Sequence, residues 1–217
     1  MRDADTHSLM CQALLKSPDT DDAQRLAFQK DWARKHAVAA APMSDAPPPD
    51  RIRVGYIGSV WDSPYLRFQM LPIVRAHDQR AFEAIGIAGM NASWAVRSAF
   101  DEFYVAGHLS DAQFVEFARD KKLDVVVELN GFSPGHRFGS LSARVAPVQV
   151  SYINHNGTSG VSNIDYILGD EIASPAELDP NYTEDIWRLP GCFACFDYTD
   201  SEGPSVDPVP AIDAAGL

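Results

Sequence analysis

The sequence has little positive charge and no long apolar run. Its 217 residues carry 18 Lys and Arg against 30 Asp and Glu, a formal net charge of −12, so its field repels phosphate backbones and anionic lipid. No apolar run approaches the ~18 residues that a membrane-spanning helix needs, and the N-terminus lacks the apolar core of a secretory signal. These absences predict a protein that binds neither nucleic acid nor membrane.

Cysteine is also scarce. The three cysteines, Cys11, Cys192 and Cys195, make an odd count, which favours reduced thiols and a cytoplasmic location. Cys192 and Cys195 form one CxxC in the stretch "RLPGCFACFDY", but a second pair of zinc ligands is missing, so no metal site is predicted. We interpret this stretch as a β-like run with packed thiols, and redox chemistry is the alternative.

No dinucleotide fingerprint and no internal repeat are present. The first strand-like run, "RIRVGYIGS" at 51–59, carries Gly55 and Gly58, a spacing that differs from GxGxxG. A tight turn at Gly58 is therefore favoured over a phosphate site. The sequence has no period of about 20–50 residues of the kind that marks a solenoid.

The chain does contain alternating strand and helix patterns. Residues 1–40 predict a helical preface, 41–50 a Pro-rich linker, 51–200 an α/β lobe and 201–217 a frayed tail. Within the lobe, short β-branched runs alternate with amphipathic stretches such as "SDAQFVEFARDKK" at 110–122. This alternation predicts a doubly wound, Rossmann-like layer with a mostly parallel sheet.

Polar stretches follow two of the predicted strands, where open α/β sheets bind their ligands. In "ELNGFSPGHR" (128–137), Asn130 and Gly131 end a buried strand. His136 could titrate near neutral pH, and Arg137 could hold a carboxylate or phosphate. The alternative is an ordinary turn in which Asn130 bonds its own backbone.

The stretch "SYINHNGTSG" (151–160) is denser in small polar groups. Its side chains have donors and acceptors for sugar hydroxyls or a peptide backbone, and its glycines permit unusual dihedral angles. We therefore predict a ligand-facing loop made of Asn154, His155, Gly157, Thr158, Ser159 and Gly160. Acid/base candidates are scattered and form no recognisable triad: Asp62, Glu116, Glu128 and Asp165.

The sequence resembles a known family of enzymes. The motifs "DRIRVGYIGS", "VVELNGFSPGHR", "GTSGVSNIDYILGD" and "YTEDIWRLPG" are similar to the N-terminal lobe of bacterial O-linked N-acetylglucosamine transferases of the SPINDLY-like branch. The likeness runs from about residue 22 to residue 198. "DWARKHA" and the Pro-rich linker resemble the segment that joins the tetratricopeptide array to the catalytic region in that family.

The resemblance implies a GT-B fold, in which two Rossmann-like lobes enclose the active site. It implies transfer of N-acetylglucosamine from a UDP-sugar donor to Ser or Thr of a protein acceptor, with no cofactor. In the family the N-terminal lobe supplies loops that face the sugar and the acceptor. Matching residues here are Asn130, Gly131, Gly157, Thr158, Ser159 and Gly160. The catalytic residues stay unknown, and His155 and Glu116 are weak candidates.

Three departures from the family pattern shape the expectations. Pro64 stands where relatives have a histidine, and Asn154, His155 and Asn156 replace Gly-Tyr-Pro. The likeness also stops before the UDP-binding lobe, so we expect a truncated chain, inactive alone, that needs a separate C-terminal lobe or forms a homodimer. The alternative is a non-catalytic binding or scaffold module; a standalone sugar-phosphate-binding protein is weaker because the phosphate fingerprint is missing.

Overall fold

The computed structural model of the chain describes residues 3–39, 50–155 and 157–197. The predicted linker at 41–50, apart from its last residue, and the predicted tail at 201–217 lie outside these ranges. The four predicted domain boundaries therefore stay predictions.

Seven strands form one parallel sheet in the order β3-β2-β1-β4-β5-β6-β7. From β1 the chain first adds β2 and β3 on one side of the sheet and then adds β4 to β7 on the other side, so the strand order reverses between β1 and β4. The predicted doubly wound α/β class is therefore confirmed. The strands are β1 Ile52–Gly58, β2 Phe82–Ala88, β3 Glu102–Val105, β4 Val125–Glu128, β5 Val148–Ser151, β6 Tyr166–Gly169 and β7 Asp185–Arg188.

The helices begin where the sequence offers capping residues. Asp21 and Ser110 each form a capping box. The side chain of the cap residue accepts the backbone N–H of the glutamine three residues later, and the glutamine side chain accepts the backbone N–H of the cap residue. The helices are α1 Asp3–Leu14, α2 Asp22–His36, α3 Pro64–Arg75, α4 Trp94–Arg97, α5 Asp111–Asp120 and α6 Phe138–Leu141, with a 3-10 helix at Ala176–Asn181. None of the helices in the described ranges is long and apolar enough to cross a membrane.

The sheet is buried on both faces, as parallel sheets are. On one face α2, α5 and α6 bury Trp32, Phe114 and Phe138 against the strands. On the other face α3 and α4 bury Met70 and Val96. The hairpin of α1 and α2 is thus part of the lobe's core, because Trp32 is only 2% exposed.

Pro72 lies in the last turn of α3. A proline has no N–H, so the carbonyl four residues earlier loses its helical donor. That carbonyl belongs to Phe68, and it accepts the backbone N–H of Asp197 at 2.9 Å. The segment after β7 therefore packs back onto α3 at the site that Pro72 leaves open.

Candidate functional site

Three adjacent strands end at one edge of the sheet. Since β1, β4 and β5 are neighbours, the loops that follow them meet there, next to the switch in strand order where doubly wound sheets bind ligands. We call them the β1 loop (59–63), the β4 loop (129–137) and the β5 loop (152–160, described except for residue 156).

Asn130 ties the three loops together. Its side-chain oxygen accepts the backbone N–H of Ser59 in the β1 loop at 2.7 Å. Its carbonyl oxygen accepts the side-chain amide of Asn154 in the β5 loop at 2.9 Å. Asn130 is 3% exposed, and its carbonyl oxygen also accepts the Ser133 N–H at 3.1 Å. It therefore starts a turn of the β4 loop while its side chain holds the β1 loop, and a ligand-binding role for it stays a prediction.

Glu128 holds the start of the β4 loop from below. It is fully buried, and its carboxyl group accepts the backbone N–H groups of Asn130 and Gly131 at 3.0 and 2.8 Å and the Asn130 side-chain amide at 2.8 Å. Burial raises the Glu128 pKa to about 7, although these hydrogen bonds favour the ionised form. The carboxyl group positions the loop and does not face solvent.

Gly131 lets the β4 and β5 loops touch. Its φ of +57° is in the left-handed region, and a Cβ built on it would lie 2.5 Å from the Cβ of His155. A larger residue would force the two loops apart.

The β4 loop then opens into a large cleft. The cleft has a volume of about 840 Å³, and its walls come from the β4 loop, the segment after β3, α1 and α2. His136 in this wall bonds Ser8 of α1 through Nε2 at 2.9 Å, and the Phe138 N–H points at Nδ1. Burial lowers the His136 pKa to about 4, so the ring is neutral at pH 7, with its proton on Nε2.

Arg137 is the cationic side chain of the same wall, but its guanidinium group binds the loop after β3. Its guanidinium donates to the carbonyl oxygens of Leu109 and Ala106 at 2.9 and 2.7 Å. It also stacks over Phe114 with a distance of 4.5 Å to the ring centroid. These contacts fix the entrance of the cleft.

A small recess of about 70 Å³ lies beside the cleft, directly above Asn130. The Asn154 side-chain amide donates to the Ser133 hydroxyl at 3.1 Å. Asn154 is exposed, and because its NH2 group donates to Asn130 and Ser133, its side-chain oxygen is the group that can accept from a ligand. The polar residues that line the recess are Ser59, Ser63, Tyr65, Asn130, Ser133 and Asn154, and its apolar lining comes from Val60, Leu66 and Leu129.

Most of the β5 loop faces the protein interior. Thr158 is 3% and Ser159 0% exposed. Their hydroxyls and the Ser159 N–H donate to the Glu184 carboxylate, with distances of 2.6 Å from Thr158 Oγ1 and 2.7 Å from Ser159 N. These polar groups already have partners within the protein, and a ligand-binding role for them stays a prediction.

His155 is buried at the same junction. Its Nε2 donates to the Thr158 carbonyl at 2.9 Å, its ring packs edge-on against Phe132, and burial lowers its pKa to about 4. Behind it the glycines meet the helical hairpin: a Cβ on Gly157 would lie 2.8 Å from Leu15, and one on Gly160 2.4 Å from the Gln29 backbone.

The remaining acid/base candidates lie elsewhere. Glu116 is exposed on α5 and lines neither the cleft nor the recess. Asp62 accepts from Ser93 at 2.7 and 2.6 Å, and Asp165 forms a two-pronged ion pair with Arg144. The structure therefore brings together Asn130, Gly131, His136, Asn154 and His155, and leaves Glu116 apart.

Two residues of the junction were missed in the sequence. Glu184 anchors Thr158 and Ser159 from 25 or 26 residues away, and Ser133 joins Asn154 to Gln12 of α1. No local pattern marks either one. A carboxylate just before a predicted strand was the sole signal for Glu184.

Comparisons with known proteins agree with the fold. The family model described as Glycosyl transferase family 41 matches residues 33–201. The chain is similar to a solved structure of a lysine-to-methionine mutant of the Thermobaculum terrenum O-GlcNAc transferase, with a TM-score of 0.82 and 29% identity over 88% of this chain and 38% of that one.

Two curated relatives come from Arabidopsis thaliana. The chain is 34% identical over 104 residues to the probable UDP-N-acetylglucosamine–peptide N-acetylglucosaminyltransferase SPINDLY, covering 48% of this chain and 11% of the relative. It is 28% identical over 163 residues to the corresponding probable enzyme SEC, covering 73% and 17%. The chain thus spans less than a fifth of the length of these relatives.

Proposed function

Because the chain belongs to glycosyl transferase family 41, we propose that it is the N-terminal lobe of the catalytic region of a protein O-glycosyltransferase. The reaction is transfer of N-acetylglucosamine from UDP-N-acetylglucosamine to a Ser or Thr hydroxyl. The observation that carries the proposal is the junction of the β1, β4 and β5 loops through Asn130, which presents amides and hydroxyls at the carboxyl edge of the sheet.

The recess above Asn130 is about 70 Å³, smaller than a whole sugar, and it suits one hydroxyl or the acetamido group of the donor sugar. Its exposed amide, Asn154, and the hydroxyls of Ser63 and Ser133 can donate to or accept from sugar hydroxyls and an acetamido group. Glu128 and Asn130 hold the backbone beneath these groups, so their positions are fixed before a ligand binds.

The larger cleft suits the protein acceptor. It begins on the other side of the Ser133 and Pro134 turn, and it is long enough to continue between α1 and the loop after β3. Trp32, Leu9 and Leu109 offer apolar contact there, while Ser110 and His108 offer hydrogen bonds. An extended peptide in this cleft would bring a hydroxyl next to the recess.

We propose that a second lobe completes the site. A departing UDP needs positive charge and oriented donors, and among the described residues that line the two cavities Arg137 is the sole Lys or Arg. Large apolar side chains are exposed on the same edge, with Trp94 76% and Ile172 93% accessible. The second lobe comes from a longer protein, from a separate chain or, less simply, from a second copy, and we place the assembly in the cytoplasm.

Calorimetric titration with UDP and with UDP-N-acetylglucosamine tests the sugar site. If the recess takes the sugar, the chain binds UDP-N-acetylglucosamine more tightly than UDP, and Asn154→Ala weakens the sugar-dependent part about tenfold, a loss of ~1.4 kcal/mol. Asn91→Ala is the matched control, because Asn91 is exposed and lies outside both cavities. Equal affinity for both nucleotides in all three proteins would refute the sugar site.

A non-catalytic binding module is the second candidate, and the β1 loop favours it. Pro64, which stands in place of a histidine, is the first residue of α3, and Ser63 caps that helix. Position 64 therefore carries no titratable side chain. Sugar transfer to a peptide pool, measured with and without a purified UDP-binding lobe of a relative, distinguishes a transferase lobe from a binding module. A chain that binds the sugar nucleotide but transfers no sugar, with or without that lobe, supports the binding module.

A further inference from the structure

The segment after β7 differs from its sequence interpretation. Residues 189–197 form no strand and run across the end of α3. Backbone bonds hold both ends, from Leu189 N–H to the Gly169 carbonyl at 2.8 Å and from Asp197 N–H to the Phe68 carbonyl at 2.9 Å. In the middle, the Phe193 N–H donates to Asp170 at 2.9 Å.

The two thiols of this segment have different surroundings. Cys192 is exposed and Cys195 is partly buried, so the predicted packing of both thiols is wrong for Cys192. The Cys195 thiol donates to the Gln69 carbonyl at 3.1 Å. The chain bends at Phe193, between the two thiols, and the Tyr152 hydroxyl holds the Phe193 carbonyl at 2.7 Å.

A disulfide needs its two Cα atoms within about 7 Å of each other. Cys192 and Cys195 are three residues apart, and the bend of the chain at Phe193 brings them nearer to each other than an extended chain would. Burial raises the pKa of the Cys195 thiol, so the exposed Cys192 is the thiol that reacts first.

We propose that Cys192 and Cys195 are a dithiol modification site, which a small-molecule disulfide such as oxidised glutathione closes into an intrachain disulfide. The exposed Cys192 thiolate attacks one sulfur of oxidised glutathione, forms a mixed disulfide and releases one glutathione thiolate. The Cys195 thiolate then attacks the Cys192 sulfur and releases the second glutathione. The protein dithiol is oxidised by two electrons, one glutathione disulfide is reduced, and the two thiol protons pass to the two glutathione thiols.

The closed form differs from the open form at α3. Cys195 leaves the Gln69 carbonyl as its sulfur bonds Cys192, and the residues that follow lose their anchor on Phe68. In a reducing compartment the disulfide is reversible, as regulatory disulfides are. The position of the chain beyond the last strand thus depends on the thiol redox state.

Differential alkylation tests the site. The reduced folded chain is incubated with oxidised glutathione, blocked with N-ethylmaleimide and mapped by mass spectrometry. We expect the peptide with both cysteines to lose two hydrogen atoms. Cys11 is the internal control, because it is 1% exposed and burial raises its pKa to about 12; it should react with maleimide only after unfolding. Cys192→Ser should abolish closure and leave Cys195 slow to react.

Two comparisons separate a built site from chance spacing. The ratio of closed to open dithiol should be at least about tenfold higher in the folded chain than in urea, and amide hydrogen exchange at residues 193–197 should speed up on closure. Glutathione that stays on Cys192 without closure would overturn the proposal. Equal ratios in the folded and unfolded chain, or unchanged exchange, would do the same.

Discussion

The β4 and β5 loops look alike in sequence and differ in use. Both follow buried parallel strands, both are rich in small polar residues, and each carries a histidine whose pKa burial lowers to about 4. The β4 loop is exposed or partly exposed from Ser133 to Arg137 and lines the cleft. In the β5 loop, Thr158 and Ser159 are almost fully buried, although this loop has the higher density of polar groups.

The difference comes from what lies behind each loop. The β5 loop is enclosed between α2, which approaches at Gln29, and the turn before β7, which supplies Glu184. Buried backbone and hydroxyl groups must be hydrogen-bonded, so a loop that passes through the interior needs many small polar residues of its own. A dense polar stretch therefore indicates a need for internal hydrogen bonds as readily as a ligand site.

Removing the Glu184 carboxylate should have the largest effect. Glu184→Ala removes the acceptor of the Ser159 hydroxyl and of the Ser159 N–H, and it leaves the Thr158 hydroxyl with Thr183 as its remaining side-chain partner. Since each buried unsatisfied group costs about 1–3 kcal/mol, we expect the free energy of unfolding to fall by about 3–5 kcal/mol in urea denaturation. Glu171→Ala, at an exposed position, should change it by less than about 0.5 kcal/mol. Similar values for the two variants would mean that the β5 loop does not depend on this anchor.

The contact between the β5 loop and α2 should show the next largest effect. At Gly160, with a φ of +71°, an added Cβ would lie 2.4 Å from the Gln29 backbone. Gly160→Ala should therefore cost about 2–4 kcal/mol from backbone strain and overpacking together. Gly191→Ala is the matched control, because its φ is +87° with nothing within 4 Å of the new Cβ.

Gly191→Ala introduces the strain of a positive φ without a steric clash, so the difference between the two variants measures the clash alone. We expect Gly191→Ala to cost about 1 kcal/mol, the lower end of the strain range. If both variants lose the same stability in urea denaturation, the β5 loop is not tightly enclosed by α2, and its contrast with the β4 loop disappears.

The fold was largely predictable from local signals. The β-branched runs and the amphipathic stretches between them, such as residues 110–122, predicted the alternation of strands and helices, because each signal acts over a few residues. Asn130 was recognised because a polar residue directly after a buried strand stands out.

The inward turn of the β5 loop was not predictable. It depends on Gln29, which lies 126 residues before His155, and on Glu184, which lies 25 residues after Ser159. Thr158 and Ser159 have the same donors and acceptors whether their partner is a sugar or a carboxylate of the protein. Only tertiary packing decides between the two.

Protonation of His155 in the β5 loop should lower the free energy of unfolding. Its pKa is lowered from 6.5 to about 4 in the folded chain, so between these values the unfolded chain binds more protons. The stabilisation is complete above pH 6.5 and is lost as the pH falls towards 4, by about 2–3 kcal/mol.

The variant His155→Gln keeps an N–H donor for the Thr158 carbonyl but does not titrate. Wild type should be the more stable protein at pH 7.5, and its advantage in urea denaturation should shrink steadily towards pH 4.5. His136 titrates in both proteins with the same sign and cancels in the difference. Parallel stability curves would show that His155 is not held neutral by burial.

Single hydroxyls should give the smallest stability effect and the sharpest comparison. Ser133→Ala in the β4 loop removes a hydroxyl that lines the recess and accepts from Gln12 and Asn154. It should cost less than about 1.5 kcal/mol, because water can replace a partly exposed acceptor. Thr158→Ala in the β5 loop removes a hydroxyl that donates to buried Glu184 and should cost about 1–3 kcal/mol. Calorimetric affinity for UDP-N-acetylglucosamine should follow the opposite order, falling several-fold in Ser133→Ala and remaining unchanged in Thr158→Ala. If Thr158→Ala instead loses affinity with little loss of stability, then its hydroxyl faces the ligand in the ligand-bound form and Glu184 releases it on binding. The β5 loop would then be a second ligand loop that is closed in the free chain.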